Sequence, residues 1–102
     1  MLKEKFMTHM NVVRFIVKPD RINDYLDKLK SQPKWKGQIE GRTIQTGDNT
    51  FCGYGLWESK EAMDAEMQSM ISWLDSVRDM LEEISPELGV TDPVSGPVIH
   101  EN

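Results

Sequence analysis

The stretch Cys52-Gly53-Tyr54-Gly55-Leu56-Trp57-Glu58-Ser59-Lys60-Glu61-Ala62, carried on to Ile84, decides the fold. A β-rich run passes within two residues of Trp57 into a helix start. Ser59 is a candidate cap for the first free N–H groups, and Glu61 is favoured by the positive end of the helix dipole. From there Met63, Met67, Met70, Ile71, Leu74, Val77, Leu81 and Ile84 recur at steps of three and four, the spacing of one helix face. The spacing predicts one long amphipathic helix, closed by Pro86 and Gly89, with its stripe laid on a sheet.

Upstream, Met10 to Val17 is β-rich, and Val12, Val13, Phe15, Ile16 and Val17 put apolar groups on both faces, as in a strand covered on both sides. Lys18-Pro19-Asp20 ends it, with Asp20 expected to cap a first helix over Arg21 to Ser31 on which Ile22, Tyr25, Leu26 and Leu29 share a face. Pro33 and Gly37 mark a loop. Gln38 to Thr46 then has the length and modest polarity of an edge strand. Gly47-Asp48-Asn49 predicts a hairpin turn using positive φ, leading into a strand over Phe51 to Trp57. Gly53 and Gly55 fall on one face of that strand and leave room above it. Downstream, Pro93, Gly96 and Pro97 predict an irregular connection, with a short last strand at Val98-Ile99-His100. The order βαββαβ is that of an α+β, ferredoxin-like domain: a four-stranded antiparallel sheet with two helices on one face. A single domain over 1–102 is expected, with its core at about 10–84 and an irregular C-terminal segment over 85–102.

Composition narrows the function classes. The chain has 102 residues, 38% of them hydrophobic and 28% charged, as in an ordinary globular domain. No apolar run is long enough to span a bilayer, so no membrane partner is expected. The formal net charge of -5 argues against nucleic acid, whose recognition rests on neutralising phosphates with Lys and Arg. Met1 to Met10 carries Lys3 and Lys5 without the apolar core of an export signal, and the single Cys52 has no internal disulfide partner. Both fit a cytoplasmic setting.

Val12-Val13-Arg14-Phe15-Ile16-Val17-Lys18-Pro19-Asp20 and Leu56-Trp57-Glu58-Ser59-Lys60-Glu61-Ala62 resemble the two signatures of the antibiotic-biosynthesis-monooxygenase-like proteins of the dimeric α/β barrel superfamily. The match runs from about Met10 to Glu83. The resemblance implies a homodimer whose sheets close into a barrel, with small-molecule pockets between each sheet and its long helix. It does not imply one function, since the superfamily holds cofactor-free oxygenases, haem degraders and isomerases. Haem-degrading members use an Asn on the first strand and a Trp and a His on the second helix. Alignment through Lys18-Pro19 and Trp57 places Val12, Glu66 and Ser76 there, which disfavours that chemistry.

The residues open to a functional role are few. Arg14 interrupts the first strand on the face of Val12 and Ile16, assigned to the barrel interior; it is either an anion or carbonyl clamp or half of a structural ion pair, with Glu40 or a residue across the dimer as partner. Tyr54 either turns its hydroxyl into a cavity as a proton or hydrogen-bond donor or ties it to the backbone. Ala62, Ser69, Trp73 and Met80 share a helix flank beside the stripe, and Ser69, Trp73 and Met80 are candidate pocket residues. Trp57 reads as an anchor at the strand-to-helix corner, and Trp35 as a loop residue packed under the first helix. His9 and His100 lie on neighbouring first and last strands without a recognised metal spacing, so no metal is expected. The expected function is binding of a small apolar or aromatic molecule by a homodimer. If it is an enzyme, oxygenation or isomerisation without a cofactor is the most economical chemistry, with Arg14 stabilising an anionic oxygen and Tyr54 donating a hydrogen bond. The rival expectation is a non-catalytic binding or interaction protein whose interior is filled by methionines.

Overall fold

The computed structural model describes residues 7–102; Lys3 and Lys5, and the reading of the N-terminal segment they belong to, lie outside them. Strand β1 (His9–Ile16) is followed by a 3-10 turn at Pro19–Arg21 and helix α1 (Ile22–Leu29). Strands β2 (Gln38–Gln45) and β3 (Thr50–Trp57) form a hairpin, then come α2 (Lys60–Ala65), α3 (Met67–Val77), a 3-10 turn at Arg78–Met80, and strand β4 (Asp92–Pro97). The antiparallel sheet has the order β2-β3-β1-β4, the ferredoxin-like arrangement expected from the order of elements.

Sheet pairing fixes which residues share a face. Asn11 lies opposite Gly55, Val13 opposite Gly53 and Phe15 opposite Phe51, so these look toward the helices. Val12, Arg14 and Ile16, with Cys52, Tyr54 and Leu56, look the other way. The core fills the helix side. Phe15, Tyr25 and Phe51 form a ring cluster with centroids 5.4 to 5.8 Å apart, joined by Val17, Val77 and Leu81. Pairs of this kind contribute about 0.5–1.5 kcal/mol each beyond their burial.

Four local expectations are corrected. The long helix is interrupted at Glu66, whose φ of -103° and ψ of 11° leave the helical region, and it ends near Met80. Neither glycine nor proline marks the break, so the stripe reads as continuous in the sequence. Leu81 then turns extended, bridges Val17 and is buried from outside any helix, as Ile84 also lies outside one. Second, Asp20 sits inside the 3-10 turn, and neither that turn nor α1 has a side-chain cap. Ser59 does cap as expected, its hydroxyl accepting from the Ala62 N–H at 3.0 Å.

Third, the Gly47-Asp48-Asn49 turn has no positive φ; among the described residues Gly37 and Gly89 have one. Gly37 is doubly required, since a Cβ there would also meet the Ala62 Cβ at 2.8 Å. Fourth, the last strand is Asp92–Pro97 and lies upstream of Val98-Ile99-His100. It holds two prolines because it is an edge strand: the Val98 N–H donates to the Thr8 carbonyl, so the positions of Pro93 and Pro97 turn their missing N–H to the unpaired side.

Candidate functional site

Between the sheet and the helices lies a half-open cleft of about 900 Å³. β1 and β3 make its floor through Asn11, Val13, Gly53 and Gly55, α1 supplies Tyr25, and α3 supplies Met67, Met70 and Trp73. All three tryptophans reach it. Trp57 is wholly buried and stacks against Trp35, with centroids 6.4 Å apart and planes 14° apart. Trp35 is thus held by the strand-to-helix corner and borders the cleft from the loop before β2. The Lys28 ammonium lies 5.9 Å from the centre of the Trp73 ring.

Three of the polar residues that line this largely apolar space are placed where their geometry is specific. The Trp57 indole N–H donates to Asn11 Oδ1 at 2.8 Å, which leaves the Asn11 amide N–H groups with the Met70 thioether, a weak acceptor, at 3.9 Å. Tyr25 is only 4% exposed, yet its hydroxyl makes no side-chain hydrogen bond among the described residues and is not sealed from solvent. Burial pushes it up to about 12, so it stays a neutral phenol at ordinary pH, able to donate. A third polar group, Gln38, accepts from the Trp35 backbone N–H at 3.2 Å.

The residues expected to act in this cleft divide. Trp73 lines it. Ser69 is exposed and outside the lining, while Met80 packs against the core from the 3-10 turn that follows the helix. Arg14 is on the far face of the sheet, largely exposed, and pairs with Asp92 at 3.1 Å. The ion pair expected for it exists, with a β4 partner in place of Glu40. Tyr54 touches the cleft floor through its strand, but its hydroxyl donates to Glu40 Oε2 at 2.8 Å and accepts from the Arg42 guanidinium at 3.1 Å. Arg42 first, then Tyr54, holds the Glu40 carboxyl below the usual carboxylate range. Arg14 and Tyr54 therefore belong to the face opposite the cleft, placed there by strand alternation.

Alternation also revises the first-strand comparison. Val12 lies on the far face, and Asn11 is the β1 carboxamide that meets the cleft. A shift of one residue in aligning a strand exchanges its two faces. Asn11 was nonetheless findable: counting inward from Phe15 places it on the apolar side, where a polar residue needs a reason. Tyr25 carried no such signal, because it occupies an ordinary core position on α1.

His9 is buried between Trp57 and Pro97 in the sheet register, while His100 is exposed and pairs with Asn102. Among the described residues no group of three or more His, Cys, Asp or Glu is gathered as a metal site would need. No described helix is long and apolar enough to cross a membrane.

No family profile and no curated protein matches the chain. Solved structures do. The ActVA-Orf6 monooxygenase of Streptomyces coelicolor, solved with the ligand nanaomycin D, is similar at a TM-score of 0.71 and 13% identity, over 99% of this chain and 96% of that one. A dimeric ferredoxin-like protein from an uncultured marine organism is similar at 0.70 and 12% identity, over 100% and 97%. SnoaB of Streptomyces nogalater, a cofactor-independent oxygenase, is similar at 0.63 and 12% identity, over 92% and 95%. The resemblance to antibiotic-biosynthesis-monooxygenase-like proteins thus extends to the whole fold.

Proposed function

We propose that this protein is a homodimer that binds a flat, largely apolar or aromatic molecule bearing an oxygen substituent in its cleft, and that it oxygenates such a molecule without a cofactor. One observation carries the proposal. Aromatic and thioether walls surround a Tyr25 hydroxyl and an Asn11 amide that find no strong partner among the described residues. Neither donor is sealed away from solvent without a partner, so both stay free to bond an oxygen of a ligand that enters the cleft.

An electron-rich phenol suits the chemistry. Its ring carbon opposite the hydroxyl exchanges C–H for C=O, one atom of dioxygen enters the ring, the other leaves as water, and the substrate itself supplies the electrons. Asn11 stabilises the oxygen as negative charge builds on it, Tyr25 offers a second donor to the same molecule, and Trp73 provides an aromatic wall. The names of similar structures, a monooxygenase and a cofactor-independent oxygenase, support this reading.

The homodimer rests on the other sheet face. Val94 is 60% exposed and Ile44 56%, flanking Val12, Ile16 and Leu56 on a sheet face that no helix among the described residues covers. A second copy covers it by presenting the same surface in return. In this reading Arg14 and Tyr54 serve the pairing face, and sedimentation is expected to find a dimer at micromolar concentration.

A second reading is favoured by Met63, Met67 and Met70, all of which line the cleft. Flexible thioethers adapt to ligands without any chemistry. Oxygen uptake over a panel of phenols and hydroquinones separates the two. Turnover that falls at least tenfold in both Tyr25→Phe and Asn11→Leu supports oxygenation. Saturable binding with no oxygen uptake supports the binder, and no binding at all overturns both.

A further inference from the structure

The register of β2 against β3 slips between Gln38 and Glu40, leaving Ile39 as an extra residue in a β-bulge. Three residues apart on a regular strand, Gln38 and Gly41 would look to opposite faces. The bulge puts both on the cleft face, Gln38 opposite Trp57 and Gly41 opposite Gly55.

The two glycines make the space that the Gln38 side chain then occupies. A Cβ on Gly41 would lie 2.7 Å from Gln38 Nε2. One on Gly55 would lie 3.1 Å from the same nitrogen, 2.7 Å from Asn11 Oδ1 and 2.9 Å from Trp57 Nε1. Two carboxamides and an indole N–H thus converge above one bare glycine.

Their polarity is fixed. The indole N–H of Trp57 can only donate, so the Asn11 oxygen must face it; the backbone N–H of Trp35 can only donate, so the Gln38 oxygen must face that. Both NH2 groups are thereby left for something else. Among the described residues their one partner is the Met70 thioether at 3.9 Å.

We infer that Gln38 and Asn11 form a two-donor clamp for a single ligand oxygen, with Gln38 aimed by the bulge at Ile39 and both amides oriented by tryptophan N–H groups. The clamp deepens the ligand-binding reading above and rests on it. Its donors are uncharged, so it selects a carbonyl oxygen, or the phenolate or enolate oxygen related to one, and gives no grip to a bare hydrocarbon of the same shape. Gln38 is in these terms a specificity-determining residue.

The test compares 1-acetonaphthone with 1-ethylnaphthalene, which share a carbon skeleton and differ by the ketone oxygen. Each is titrated into the 15N-labelled protein while the side-chain amide signals of Asn11 and Gln38 and the indole signals of the three tryptophans are followed. The ketone moves both amide signals together and binds about tenfold more tightly than the hydrocarbon, the effect of one well-made neutral hydrogen bond. Gln38→Met removes most of that advantage, so that the ketone binds little better than the hydrocarbon.

Gly55→Ala gives an independent variant, in which the new methyl group separates the amides and the ketone loses its preference. Equal binding of the two probes, or an equal loss for both in Gln38→Met, overturns the clamp while leaving the cleft a binding site. Indole signals that stay still with both probes overturn the cleft as well.

Discussion

On the helix side of the sheet, Phe15, Phe51 and Trp57 are buried, and the polar residues that meet the cleft there include Asn11, Gln38 and Tyr25. On the other side, Val12, Ile16, Leu56 and Val94 lie beside charges that have already found partners, Arg14 with Asp92 and Arg42 with Glu40 and Tyr54. The first face holds unused donors inside apolar walls, which is what a small ligand needs. The second holds satisfied charges around an apolar centre, which is what a protein surface needs. Strand alternation alone separates them.

The largest way to break this contrast is at Trp57. Trp57→Ala empties a fully buried site and is expected to cost about 3–5 kcal/mol in urea unfolding. Trp57→Phe keeps most of the volume, releases Asn11 Oδ1 and costs about 1–2 kcal/mol. If the two variants are equally destabilised, the hydrogen bond to Asn11 rather than packing governs that face.

The opposite face is probed at Val12. An aspartate there would be buried without a partner under a second copy, weakening the dimer by about 3 kcal/mol, or roughly 100-fold, in sedimentation equilibrium. Tryptophan emission from the cleft should stay native. A dimer unchanged by Val12→Asp would show that this face is not the one that pairs.

A smaller effect comes from pH. Because burial holds the Tyr25 hydroxyl near 12, the unfolded chain loses its proton from about pH 10 while the folded chain retains it, so stability falls as pH rises between those values. The expected loss is about 1–3 kcal/mol between pH 9.5 and 12. Tyr25→Phe should flatten that slope, and an unchanged slope would place the titration elsewhere.

The smallest effect is expected at Arg14. Its pairing with Asp92 is largely exposed, and Arg14→Ala should change stability by less than about 1 kcal/mol and leave ligand binding in the cleft unaltered. A large loss of binding would return Arg14 to the functional site.

Much of the architecture was legible in the residue order. The Ser59 cap, the apolar first strand and the Trp57 corner each rest on local rules: a hydroxyl beside free N–H groups, β-branched residues in series, a strand that runs into a helix. The break at Glu66 was hidden because no helix-breaking residue causes it. The last strand was misplaced because prolines signal a loop unless the strand lies at an edge, and edge position belongs to the assembled sheet.

The site was less legible for a related reason. Arg14 and Tyr54 stand out in a list of residues because a charge or hydroxyl in an apolar strand looks purposeful. Asn11 and Gln38 stand out only once the faces are known, and Gln38 reaches its face through a bulge that composition does not mark. By itself the sequence determined the elements and their order, since these follow from periodicity and capping within a few residues. Tertiary structure alone decided which polar groups meet and which are left without partners, because the register of one strand against the next sets the direction of every side chain on it.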